Sequence, residues 1–462
     1  MLGSAFRTRL LFLTSLSLAV CLNLSLAHTV LGIQTIGAGT PLTLENAIKS
    51  GLANSPKMAA VQSQVTASMA RVSQARSGFF PRVDITESFN RTTNPMWAFG
   101  TKLNQEVIST EDFDPARLND PDAINNFATS VSVTLPVYDQ GKNWIGFSQA
   151  RLDEKATSLS AERARQEVIA DVVVAYLGVL LAGENVQVAE KTLETARAHD
   201  NVVRSRYESG LVVKSDVLRA KVRIAELEQE RLQAQSQVEV ARATLNAAMG
   251  AEIDEVFRLT TPLAGEAESP GSLEQWISKA LENRPDLKQI RFKETMAREE
   301  VKKAKAAHFP GFYLSGSYDI HSEDFSERAD NYTLGAVMRL NLFSGLGLEA
   351  KVHEATANLR ETQAMVRQME LGIRVETRQA FFMAQSAHQR IGVAEAAVAQ
   401  AEEGLRIVRN RYESGIFTIV NLLDAEVALQ QARTNCFRSL HDFKVAMAQL
   451  NLGAGIIDKD VQ

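Results

Sequence analysis

Two cysteines in 462 residues, Cys21 and Cys436, are too few for a disulfide framework. The seven histidines never fall in a zinc-ligand spacing such as H-E-x-x-H, and there is no C-x-x-C, so the sequence offers no metal site. Basic charge is not in excess: 50 Lys+Arg stand against 55 Asp+Glu, a formal net charge of −5, which leaves no electrostatic footprint for nucleic acid. No nucleophile is paired with a base in a way that would support catalysis, so the chain does not read as an enzyme and calls for no cofactor. Proline is missing between Pro136 and Pro262 and everywhere after Pro310. Beyond the first 27 residues no stretch is apolar enough to read as a transmembrane helix. A mature chain that enters a membrane would therefore do so as a β-barrel.

What is present is the composition of a folded protein, 45% hydrophobic and 23% charged. The first 27 residues stand apart from it. Arg7 and Arg9 form a short basic region, Leu10 to Leu26 is almost wholly apolar or small, and Ser25-Leu26-Ala27 places small residues where a signal peptidase reads. This is the pattern of a secretory signal with His28 as the mature start. A retained membrane anchor is the competing reading, and the core is short for a span. Acylation at Cys21 is a further alternative, for which Val20 is a poor fit. Cleavage leaves Cys436 as a lone thiol.

The rest of the chain is one unit written twice. Leu44-Glu45-Asn46-Ala47-Ile48 and Leu273-Glu274-Gln275-Trp276-Ile277 open parallel segments, and at a constant offset of 229 Asn54 falls on Asn283, Pro56 on Pro285 and Phe80-Pro81 on Phe309-Pro310. From Asn126 onward an offset of 205 holds without a gap to Gly250 and Gly455. Arg206-Tyr207-Glu208-Ser209-Gly210 recurs identically as Arg411-Tyr412-Glu413-Ser414-Gly415. The change of offset gives the first copy 24 extra residues, which must lie between Pro81 and Asn126. A repeat of about 200 residues is too long for a solenoid unit. The expected layout is a leader over 1–27, a first repeat over 28–250, a linker over 251–272, a second repeat over 273–455 and a tail over 456–462.

Each copy reads helix, strand, strand, very long helix, turn, helix. The proline-free stretches are rich in Ala, Leu, Glu, Gln, Arg and Val. A single helix from about Lys142 to Arg206 would run roughly 100 Å. It must pack along others as a coiled coil, with Val168, Val172, Leu177 and Leu180 on one side. Gly210 and Gly415 suit left-handed helix ends, and Ser215 or Asp216 stands where the next helix could be capped. The strand segments alternate. Val83, Ile85 and Phe89 oppose Arg82, Asp84, Thr86 and Ser88; Phe127, Val131, Val133 and Leu135 oppose Ser130, Ser132 and Thr134. The second copy gives Phe312, Leu314, Tyr318 and Ile320, then Tyr332, Leu334, Ala336, Met338 and Leu340. Such segments suit a transmembrane barrel or an ordinary half-buried sheet. The export signal and the isolation of the hairpins beyond long helices favour the barrel. Four strands cannot close one, so several chains must each contribute four.

At this point the chain resembles the TolC-type outer-membrane efflux channels over about residues 41–455. The resemblance rests on the duplicated order and on Leu135-Pro136-Val137-Tyr138-Asp139-Gln140-Gly141, echoed by Leu340-Asn341-Leu342-Phe343-Ser344-Gly345. It also rests on the tips running from Tyr207-x-x-Gly210 to Asp216-Val217-Leu218 and from Tyr412-x-x-Gly415 to Asn421-Leu422-Leu423-Asp424. It implies an α plus transmembrane-β protomer in a homotrimer, with a twelve-stranded barrel among outer-membrane lipid and a twelve-helix barrel crossing the periplasm. It implies an inner-membrane pump and a periplasmic adaptor as partners. Tyr412 and Asp216 match a tyrosine–aspartate hydrogen bond that holds the periplasmic mouth shut. Phe417 stands where an arginine normally adds to that lock, and Asn421 replaces the second copy's aspartate. Asp424 matches the acid that rings the constriction. Arg206, Tyr207, Gly210, Arg411 and Gly415 sit where adaptor hairpins would dock.

Plainer roles stay open beside these. Asp216 could cap a helix, Asp424 could be a solvated helix residue, and Gly210 and Gly415 could simply allow the turns. The acids between Pro95 and Asp122 read as a surface loop, since they lack the spacing of a calcium loop. A periplasmic coiled-coil adaptor or scaffold without a pore is the rival reading of the whole chain.

Overall fold

The computed structural model describes residues 41–263 and 268–458. The leader, His28 and Cys21 lie outside the described residues. The chain runs β1 (Pro41–Leu42), α1 (Leu44–Asn54), α2 (Pro56–Ser77), β2 (Arg82–Thr92), α3 (Pro95–Asn104), a 3-10 turn (Thr110–Phe113), α4 (Pro115–Asn119), β3 (Ile124–Tyr138), α5 (Lys142–Glu208) and α6 (Lys214–Met249). The second copy follows as β4 (Arg258–Leu259), α7 (Leu273–Asn283), α8 (Pro285–Ala306), β5 (Gly311–Ser322), β6 (Ala329–Arg339), α9 (Gly347–Glu413) and α10 (Ile419–Ala454).

The long helices α5 and α9 are 67 residues each, and their return partners α6 and α10 are 36 each. At ~1.5 Å per residue the longer pair reaches roughly 100 Å, a length that packing rather than propensity must sustain. The packing is a seam between hairpins. Val168, Val172 and Tyr176 of α5 are buried with Ile48 of α1, Leu245 and Met249 of α6 and Ala448 of α10. In the second copy Phe381, Ala384 and Ile391 of α9 are buried with Trp276 of α7 and Phe443 and Leu450 of α10. The expectation of no further membrane-length helix needs one correction. Part of α5 is long and apolar enough to cross a membrane by length and composition alone, and half of that stretch is buried inside the protein. Its apolar run serves the core just described.

The short helices show why the sequence starts them where it does. Thr43 Oγ1 accepts the Asn46 N–H at 3.2 Å and Ser272 Oγ that of Gln275 at 3.5 Å, each capping a first turn. Pro56 and Pro285 then open α2 and α8 at the first helical position, where a missing N–H costs nothing. At the junction ahead of α8, Arg284 is buried and joins Asp286 and Glu376 at 2.6 Å each.

The four long strands form an antiparallel sheet in the order β2-β3-β5-β6, all joined to helices at the same end, while β1 and β4 pair in parallel apart from it. Register aligns the copies row by row. Ile85, Val131, Tyr318 and Tyr332 form one row, and Val83, Val133, Gly316 and Leu334 another. The intervening rows are polar: Thr86, Ser130, Asp319 and Asn331, then Asp84, Ser132, Ser317 and Thr333. One face is therefore apolar in the rows nearer the helices, with the mixed row Glu87, Thr129, Ile320 and Asp330 interrupting it farther out, yet Ile85, Tyr332 and Leu334 are 74%, 75% and 79% exposed. Near the hairpin end Phe127 stacks between Phe89 and Phe325, at 4.7 and 4.2 Å. Pro136 cannot donate to the ladder, and the register shifts between Pro136 and Tyr138. The chain then turns sharply through two left-handed residues, Gln140-Gly141 in one copy and Gly345-Leu346 in the other.

The first hairpin loop spans 93–123 and the second 323–328, so the first copy's extra residues sit in the loop. This loop has structure of its own. Lys102 Nζ lies 2.7 Å from Asp112 Oδ1, while Ser109 N–H and Oγ donate to the other carboxylate oxygen. The Lys102 and Ser109 contacts hold the Asp112 carboxyl down at about 2. Gln105 Nε2 donates to the Asn125 carbonyl at 2.8 Å and ties α3 to β3.

Candidate functional site

The two Arg-Tyr-Glu-Ser-Gly motifs close the long helices at the end away from the sheet. The α5 helix stops at Glu208 because Gly210 turns left-handed at φ +73°. Leu211 N–H then reaches back to the Arg206 carbonyl at 2.8 Å and Gly210 N–H to that of Tyr207 at 2.9 Å. The second copy repeats the pattern, with Gly415 at φ +78°, Ile416 N–H on the Arg411 carbonyl at 2.9 Å and Gly415 N–H on that of Tyr412 at 3.0 Å. Both are Schellman ends, which satisfy carbonyls that a helix terminus otherwise leaves open.

The return helices begin differently from the expectation. The residue capping α6 is Val213, whose side chain has no oxygen to offer, and neither Ser215 nor Asp216 caps it. Asp216 instead lies in the first turn, where its charge faces the positive end of the helix dipole. In α10 the equivalent position is Asn421. Its Oδ1 accepts the Thr418 N–H at 3.1 Å and the Thr418 hydroxyl at 2.8 Å, so Asn421 closes its own helix.

Between the tips lies a small apolar core. Val203, Leu405, Tyr412, Ile419, Leu422 and Leu429 are buried, with Val212, Val217 and Phe417 packed against them. Tyr412 is 5% exposed, and its hydroxyl makes no hydrogen bond among the described residues. Asp216 is close enough to be felt but is not bonded to it. Burial pushes the Tyr412 phenol up, the Asp216 charge adds to this, and Arg206 opposes it without lying in line for a hydrogen bond to the hydroxyl.

Arg206 is bound rather than free. Its guanidinium lies 5.0 Å from the Tyr412 ring centroid, and Nη1 and Nη2 donate to the Tyr412 and Glu413 carbonyls at 3.1 and 2.9 Å. It thus joins α5 to the end of α9. Arg411 lies 5.4 Å from the Phe417 ring. Tyr207, Gly210 and Gly415 are exposed at the extremity. Asp424 is exposed and unpaired among the described residues, in an open groove of about 400 Å³ that Leu218, Val222, Arg219 and Arg223 also line.

The structure adds residues the sequence reading passed over. His199 Nε2 of α5 is 2.8 Å from Glu426 Oε1 of α10, and Glu426 is only 3% exposed. Arg223 Nη2 donates to Gln430 Oε1 at 2.7 Å, and Gln430 Nε2 donates to Glu230 at 2.6 Å, linking α6 to α10. A signal for Glu426 was present. Ile419, Leu422, Glu426 and Leu429 fall at heptad core spacing, and an acid there needs a partner.

The comparisons agree with this architecture. The sequence profile of the outer membrane efflux protein family matches residues 47–251 and 276–455, and the chain belongs to that family. It is 25% identical over 417 residues to the alkaline protease secretion protein AprF of Pseudomonas aeruginosa, covering 88% of this chain and 83% of that one. It is 21% identical to the outer membrane protein TolC of Vibrio cholerae, covering 88% and 89% of the two chains. Among solved structures, VceC of Vibrio cholerae aligns with a TM-score of 0.74 at 21% identity, over 89% of this chain and 96% of that one. The open state of the Neisseria gonorrhoeae MtrE channel aligns at 0.75 and 17% identity, over 91% and 90%. The chain is thus a TolC-like channel protein of the outer membrane, with its helices extending into the periplasm.

Proposed function

We propose that this protein is a homotrimeric exit duct that passively conducts substrates handed over by an inner-membrane pump through a periplasmic adaptor. The observation that carries the reading is the sheet. One face is open and apolar in the rows nearer the helices, and its two edges, β2 and β6, have no strand partner on their outer sides among the described residues and run in opposite directions. An open apolar face of this kind calls for lipid, and an open edge calls for another strand. Pairing β6 with the β2 of a second copy continues the antiparallel order, and three copies give twelve strands. Relatives named for alkaline protease secretion and for pyoverdine export support an export role.

The duct does no chemistry of its own. Its work is a sealed path and a mouth that opens when the helix tips splay. In this reading Asp216, Tyr412, Phe417 and Asn421 belong to that mouth, and three Asp424 carboxylates converge on the pore axis. Arg206, Tyr207, Gly210, Arg411 and Gly415 form the rim an adaptor meets. Converging carboxylates favour cations and repel anions. Planar-bilayer recordings of Asp424→Ala should therefore show reduced cation selectivity, and block by divalent cations weakened roughly ten-fold, equivalent to about 1.4 kcal/mol. Unchanged selectivity and block would remove Asp424 from the constriction.

A further inference from the structure

The two identical tip motifs are engaged unequally within one chain. In the first copy Arg206 donates to the main-chain carbonyls of Tyr412 and Glu413 at 3.1 and 2.9 Å. Arg411 occupies the same place in the second copy, 205 residues on. Its guanidinium lies over the Phe417 ring and makes no hydrogen bond among the described residues, so its five N–H donors are unspent. The matching acceptors are also incompletely used. By the same offset they are the carbonyls of Tyr207 and Glu208 at the end of α5. That of Tyr207 takes only the Gly210 N–H, whereas that of Tyr412 takes both the Gly415 N–H and Arg206. The Glu208 carbonyl, equivalent to the one Arg206 Nη2 holds, has no hydrogen bond among the described residues.

A donor set on α9 and an acceptor set of matching kind on α5 are thus left open in one protomer's tip. We infer that Arg411 hydrogen-bonds the main-chain carbonyls of Tyr207 and Glu208 of the partner subunit, repeating between chains the link Arg206 makes within one. The inference rests on the trimeric reading above. In a closed ring of six hairpins, what the first repeat does to the second, the second does to the first repeat of the next chain. The chemistry suits the place, because a cation is favoured at the carbonyl end of a helix. It also gives Phe417 a function. Val212 holds the equivalent position in the first copy, and a valine cannot stack. The Phe417 ring holds the planar guanidinium by its face and leaves its N–H edge to reach outward.

The test uses the protein with Cys21→Ser and Cys436→Ser, so that no native thiol interferes. Arg411→Cys combined with Glu208→Cys is treated with a bifunctional thiol reagent about as long as an arginine side chain. Covalent dimers and trimers on a denaturing gel are expected. Arg206→Cys with Glu413→Cys, treated alike, should link within the chain and run as a monomer. Monomers alone from the first pair, with the control linked and the native mass that of a trimer, would overturn the inference and leave the duct intact. A native mass that is not trimeric would defeat the duct itself and this link with it. In bilayers Arg411→Ala and Arg206→Ala should each raise the open fraction roughly ten-fold, with Arg411→Lys restoring less than half because it lacks the planar fork. Wild-type closure in Arg411→Ala beside an opened Arg206→Ala would also contradict the link.

Discussion

A glycine can be required for its backbone conformation or for the space its missing side chain leaves, and this duplicated chain has both kinds. A Cβ on Gly210 or Gly415 would meet nothing within 4 Å, so only the positive φ matters there. Gly250 is also left-handed, but a Cβ on it would lie 2.6 Å from the Asn54 carbonyl oxygen, and one on Gly455 would lie 2.9 Å from Arg284 Cα. Gly210→Ala should therefore cost about 1–2 kcal/mol, and Gly250→Ala about 1–3 kcal/mol more from overpacking. Thermal unfolding of the two variants checks the order, and equal losses would show that the Asn54 backbone yields freely. The tip glycines were legible because their motif repeats beside a helix end. The packing role of Gly250 was not, since it depends on α1 and α6 meeting far apart in sequence. Asp216 misled for a local reason. It is a good cap residue, but the helix starts at Lys214, ahead of it.

At the scale of elements, alternation in four short segments placed the side chains on the correct faces, because period two leaves no intermediate choice. The heptad pattern placed Val168 and Val172 in the seam for the same reason. What periodicity hides is a polar residue in an apolar position. Glu426 is one, and it leaves the α5–α10 contact dependent on His199. Removing the partner of a buried charge costs about 3–5 kcal/mol, so His199→Ala should lower stability by an amount of that order. The double variant His199→Ala with Glu426→Leu should recover most of it by completing the heptad core. Chemical denaturation would show this, and a double variant no better than the single would mean the carboxylate is solvated.

The long hairpin loop was legible as an insertion but not as an ordered unit, because the Lys102–Asp112 pair joins residues with no periodic relation. The Asp112 carboxyl is held at about 2, below its ordinary value of 3.8. A depressed folded value means that this stabilisation is complete above the ordinary value and is lost as pH falls through the folded one. The loop should therefore loosen between about pH 4 and pH 2. Pepsin cleavage within 93–123 should be faster in Lys102→Met than in wild type at pH 4, and the gap should close towards pH 2. A gap independent of pH would show that the pair does not order the loop.

At the scale of the whole molecule, the duplication was the most legible feature, because two offsets and an identical five-residue motif need no structural knowledge to see. Closure was not legible in the same way. The sequence shows four strands, and only register shows that their apolar rows run continuously from Val83 to Leu334 and stop at two open edges. The central claim is that three chains join those edges. The native mass of the mature protein, extracted in mild detergent from isolated outer membranes, tests this most directly. The account predicts three chains per particle, found in that fraction alone. A monomer or dimer recovered from the soluble periplasm would contradict it and return the long helices to a scaffold without a pore.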